Sequence, residues 1–201
     1  MSASIIVAFI TGVLGPVLLL FIKNKLEKKP EKPDMVKDAL RISELVNNKI
    51  EDIREELRAD RVWIAQFHNG GHFYPTGKSM TKFSIIYEVV NGSVTSIQSN
   101  FQGIPVNLFS RSINQLLDNC IIEVPDFKDE TIATFGLKYV AEESGCKSAY
   151  LFAIKTIDEK FIGILGIDFT KRKTKLDEKS ITQLKVSATS LGGVLMDNLS
   201  Q

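Results

Sequence analysis

The chain opens on an uninterrupted apolar run, IIVAFITGVLGPVLLLFI from Ile5 to Ile22, with no charged residue in it. A bilayer core is crossed by a helix of about 20 predominantly apolar residues, and about 17 suffice. The run therefore predicts a single membrane span, with Pro16, Gly12 and Gly15 kinking it. LEKKPEKPD, residues 26–34, sets Pro30 and Pro33 among charges and reads as a stiff, solvated linker. Beyond it Ala39, Leu40, Ile42, Leu45, Val46, Ile50, Ile53 and Leu57 recur at helical spacing. They predict an amphipathic helix over 35–59, capped by Asp34.

From residue 60 the period shortens. Val62–His68 and Lys82–Val90 are β-rich runs, the second closed by the turn Asn91-Gly92, and Val94–Gln98 is read as the returning strand. Residues 106–119 predict a helix with Leu108, Phe109, Ile113, Leu116 and Leu117 on its inner side, followed by a short strand IIEV and a short helix ending near Ser144-Gly145. Ala149–Lys155 and Phe161–Phe169 form a central hairpin. A last helix over 177–198 carries Ile181, Leu184, Ala188, Leu191, Leu195 and Leu199 on one face. The parts are thus an anchor over 1–25, a linker over 26–34, a connecting helix over 35–59 and one α/β (α+β) domain over 60–201.

Charge adds direction. Lys23, Lys25, Lys28 and Lys29 follow the span, and by the positive-inside rule they hold the C-terminal domain in the cytoplasm, on a single-pass protein of the cytoplasmic membrane. The lipid bilayer is then the first partner. With 25 basic and 24 acidic residues the formal charge is +1, which provides no field for nucleic acid. Cys120 and Cys146 are too few for a disulfide framework and match no zinc spacing.

The order of elements from about residue 60, with Val124-Pro125-Asp126, Gly145-Cys146-Lys147-Ser148, Gly163-Ile164-Leu165-Gly166-Ile167 and a helix opening at Asp177-Glu178, resembles the GAF domain. The resemblance implies a GAF/PAS-like antiparallel sheet, N- and C-terminal helices on one face, a ligand cavity on the other, and pairing of two copies through the helical face. It also implies a regulatory or interaction module that binds a small molecule or a protein. Phe127 is separated from Asp129-Glu130 by one residue, a departure from the family's cyclic-nucleotide signature, and neither cysteine adjoins a histidine as in bilin-binding members. The sequence names no cofactor. A single span before a small soluble domain also resembles the holins of T-even phages, which implies oligomers that permeabilise the cytoplasmic membrane.

The segment Phe67–Phe83 gathers His68, Asn69, Gly70, Gly71, His72, Lys78 and Ser79 in one strand connection. Gly71 to Gly77 encloses one residue more than a phosphate loop has, and the glycines between His68 and His72 break the helix a paired-histidine zinc site needs. The segment reads either as a glycine-hinged ligand loop whose backbone amides receive an anion or as an ordered turn. Asp168, isolated among apolar residues of a strand, is the other candidate, and it either faces solvent or points into the cavity. No paired carboxylate, nucleophile elbow or metal set assigns catalysis, so the expected function is non-enzymatic.

Overall fold

Gly15-Pro16 divides the N-terminal apolar run in the computed structural model, which describes residues 10–26, 34–72 and 75–199. Ile10–Leu14 form a π turn and Gly15–Leu26 an α-helix, α1. Proline lacks the N–H that a helix interior uses but is tolerated in a first turn. The α-helical register accordingly starts at Gly15, with the proline in its first turn. Val17, Leu18, Leu19, Leu20 and Phe21 are all exposed. Ile5–Phe9, the start of the expected span, and residues 27–33 of the expected linker lie outside the described residues. Among the described residues no helix is long and apolar enough to cross a membrane. Residues 1–36 and 37–201 are separate compact units.

Helix α2 (Met35–Leu57) opens on Asp34, whose Oδ1 accepts the Val36 N–H at 3.2 Å. Six strands follow: β1 (Arg61–His72), β2 (Ser79–Val90), β3 (Ile104–Pro105), β4 (Ile121–Val124), β5 (Ser148–Lys155) and β6 (Phe161–Phe169). Helices α3 (Ser110–Asn119) and α4 (Leu137–Glu143) flank β4, and α5 (Glu178–Leu199) follows β6. The strands pair antiparallel in the order β3-β2-β1-β6-β5-β4. The class is α+β, an antiparallel sheet with flanking helices.

Side-chain alternation divides the sheet into two cores. Val62, Ile64, Tyr150, Phe152, Leu165 and Ile167 meet the stripes Ile42, Val46, Ile50 and Ile53 of α2 and Leu184, Ala188, Leu191 and Leu195 of α5. Phe83, Ile85, Ala149, Leu151 and Ile164 point the other way, toward α3 and α4. One sheet face therefore buries both helical stripes within the domain. Leu40 and Leu45 stay exposed on the outer side of α2; the side chain of Leu199 lies outside the described residues.

Other expectations shift for identifiable reasons. Val94–Gln98 is not a strand: the Glu88 carboxylate accepts the Ile97 N–H at 2.9 Å and the Gln98 N–H at 3.1 Å, bending the segment into a 3-10 turn at Gln98–Asn100. The return strand is β3, which pairs at Lys82 and Phe83. Leu108 and Leu117 are exposed, and the inner side of this helix is Ile113 and Leu116. Gly163 and Gly166 admit close neighbours from β1: a Cβ on Gly163 would lie 2.4 Å from the Ala65 carbonyl, and one on Gly166 would lie 2.1 Å from the Trp63 indole. The glycine that admits the terminal helix is Gly192, where a Cβ would lie 2.0 Å from the Lys155 carbonyl.

Candidate functional site

The second core is not completely filled. Between the sheet and its cover lies a cavity of about 80 Å³. Its floor includes Phe83, Ile85, Ala149, Leu151 and Ile164; Ile113 and Leu116 of α3, Leu137 and Val140 of α4, and Ile97 and Phe101 of the β2–β3 connection close over it. Ser112 and Ser144 are the hydroxyls in the wall, and each donates to a backbone carbonyl, Phe135 and Val140 respectively.

One end of the cavity is built differently. Trp63, the only tryptophan of the chain, lies across Gly166, its direct partner on β6, because that position has no side chain. The indole Nε1 then reaches Asp168 Oδ2 at 3.1 Å. Arg61, paired with Asp168 in the β1–β6 register, donates Nε–H to the same oxygen at 2.8 Å. Its Nη1 donates to the Thr95 carbonyl at 3.1 Å, and its Nε lies 3.9 Å from Glu88 Oε1. Arg61 is 1 % exposed, and among the described residues its Nη2 has no hydrogen-bond partner. Among the described residues no donor reaches Asp168 Oδ1. The Asp168 side chain, 8 % exposed, lines the cavity.

Burial pushes the Asp168 carboxyl above the usual carboxylate range, against the pull of Arg61 and the hydrogen bond from Trp63. Cys146 also lines the cavity. Burial, with the Asp168 charge adding to it, drives its thiol upward, and Sγ donates to the Ser148 carbonyl at 3.0 Å. Cys120 is half-buried at the left-handed C-cap of α3. The Cys146 thiol is not placed as an activated nucleophile, while Cys120 has the Lys155 ammonium beside it. Among the described residues no cluster of three or more His, Cys, Asp or Glu side chains is arranged for a metal.

The other sequence candidates lie elsewhere. Instead of a loop, Asn69, Gly70, Gly71 and His72 prolong β1; Asn69 pairs with Thr81 and His72 with Ser79, and the two glycines form the bulge between them, where Gly71 takes φ +101°. His68 Nε2 contacts Ser84 Oγ at 2.9 Å, and that hydroxyl accepts the Gly103 N–H, so the histidine is tied into the sheet edge. The stem of Lys82 crosses Gly70. His72 Nδ1 and Ser79 Oγ lie 3.5 Å apart, and Lys78 is exposed. Asp168 is not among them. It pairs with Arg61, and at about 3.3 Å per residue along β1 His68 is ~23 Å further on.

The polar groups of this ribbon are solvated, so His72→Ala and Lys78→Ala should each change unfolding free energy by no more than about 0.5 kcal/mol, measured by urea denaturation. Sequence reading missed Arg61, Trp63 and Glu88. Asp168 carried a signal as the one charge in an apolar strand, whereas Arg61, next to Asp60 at the head of β1, did not stand out.

No protein-family model matches the sequence, and no curated protein does. Solved structures match the fold. A far-red cyanobacteriochrome photoreceptor superposes with a TM-score of 0.64 at 15% identity, over 94% of this chain and 100% of that one. The PixJ GAF domain of Thermosynechococcus elongatus in its blue-light absorbing form gives a TM-score of 0.63 at 14% identity, over 81% of this chain and 89% of that one. The phycoerythrobilin-bound GAF domain of a cyanobacterial phytochrome gives 0.61 at 15%, over 82% and 92%. The fold of the chain is GAF-like.

Proposed function

We propose that this chain is a non-enzymatic regulatory module whose GAF-like domain binds a small ligand in the cavity between the sheet and α3–α4. The carrying observation is an apolar chamber with one buried carboxylate and the sole tryptophan in its wall. Apolar clefts with a few placed polar groups are where ligands bind. The fold supports this reading, since the GAF domain of the cyanobacterial phytochrome holds phycoerythrobilin. A tetrapyrrole is not the ligand proposed here. Pockets for drug-sized molecules measure about 300–1,000 Å³, and this cavity measures about 80 Å³.

The test is native mass spectrometry of the purified full chain for a retained small molecule, together with thermal unfolding in the presence of compact apolar compounds. A retained compound or a raised Tm supports the reading, and Ala141→Leu, which fills the cavity from α4, should abolish either. Absence of both signals counts against it.

The reading places the module at a membrane. The apolar run Ile5–Ile22 followed by Lys23, Lys25, Lys28 and Lys29 supports a single-pass anchor with the domain in the cytoplasm. A reporter active only in the periplasm, fused after Gln201, should stay silent. Self-association through exposed Leu40 and Leu45 of α2 completes the proposal, and sedimentation of Leu40→Glu against the unaltered chain tests it.

A further inference from the structure

We infer that the ligand of the cavity is a compact, mainly apolar molecule, no larger than one aromatic ring, with a hydroxyl or N–H that donates to Asp168 Oδ1. This rests on the cavity being the ligand site. The size follows from volume. A dry cavity of about 150 Å³ holds benzene, so about 80 Å³ admits a smaller molecule, or a single ring once the wall yields. The Ile97 and Phe101 side of that wall is a connection between strands and contains only a 3-10 turn.

The donor follows from the end wall. Asp168 Oδ2 already accepts from Arg61 and Trp63, whereas Oδ1 receives no hydrogen bond from the described residues. A hydrocarbon filling the chamber would leave that oxygen dry, and an unpaired polar group in an apolar site is costly. A donor satisfies it.

An anionic ligand is disfavoured by the charges present. Asp168 is the charged residue in the wall, and behind it Glu88 and Asp168 stand against one guanidinium. Ser112 and Ser144 direct their hydroxyl hydrogens at backbone carbonyls, and among the described residues of the wall there is no cation to greet a carboxylate; Arg61, whose Nη2 is unengaged, stands behind Asp168 and outside the lining.

Phenol, fluorobenzene and benzoate separate these possibilities because they share a ring and differ in the one substituent. Each is titrated into the full chain and binding is read from Trp63 emission, which belongs to the cavity wall. Phenol should bind about tenfold or more tightly than fluorobenzene, as expected of a hydrogen bond to a charged acceptor, and benzoate should bind most weakly. Asp168→Asn should reduce the phenol preference, and Ala141→Leu should remove binding of all three. Equal affinity for phenol and fluorobenzene overturns the donor requirement and leaves the cavity reading standing. Preference for benzoate overturns the charge argument. Binding that persists in Ala141→Leu, or no binding of any probe, removes the cavity reading and this inference with it.

Discussion

Arg61→Met should lower the unfolding free energy by about 3–5 kcal/mol at neutral pH, as expected when one partner of a buried ion pair is removed. Methionine retains most of the apolar stem, so the loss reports charge more than packing. What remains is Asp168 with only the Trp63 indole and Glu88 behind it, both carboxylates nearly out of solvent. The pH dependence has a definite sign. The Asp168 carboxyl is raised above its ordinary value in the folded chain, so its contribution to stability is complete below that ordinary value and is lost as pH rises through the raised one. Without Arg61, whose pull lowers it, the raised value moves higher still. Urea titrations should therefore show a gap between the two proteins that narrows in acid. A gap independent of pH would mean that Arg61 acts through packing alone.

Leu195→Glu should leave the domain unfolded rather than merely separate two copies of it. Leu195 is 1 % exposed and packs with Ala188 and Leu191 of α5 against β5 and β6. An unpaired carboxylate there has no donor, and such substitutions fall in the tail beyond about 4–5 kcal/mol. Leu195→Ala, which only leaves a void, should cost about 2–5 kcal/mol. Circular dichroism and sedimentation on Leu195→Glu distinguish the outcomes. A folded monomer would show that α5 is a partner-facing helix and not the core element described here.

Periodicity alone located α2, β5, β6 and α5, because each buries one face and the spacing of Ile42, Val46, Ile50 and Ile53 records it. Elements held by tertiary hydrogen bonds were not legible. Asn69-Gly70-Gly71 has the composition of a loop, yet ladder pairing to the start of β2 extends the strand through it. Val94–Gln98 has a strand's composition, yet a carboxylate on β2 captures its amides. The site was half legible. Asp168 stood out as a lone charge, and one of its two expected orientations, into the cavity, is the observed one. Its partner lies 107 residues away, and only the β1–β6 register brings the two together, a fact that hydropathy does not carry.

Cys146 stands in the partition between two spaces. It lines the apolar cavity on one side and, on the other, a wider groove formed with Asp126, Lys138 and Lys173. With its thiol buried and its ionisation suppressed, it reacts only when that partition parts. The rate at which a thiol reagent labels it is therefore a clock for breathing of the chamber. An occupied chamber would slow the clock, giving the fold an internal measure of occupancy that needs no attached dye.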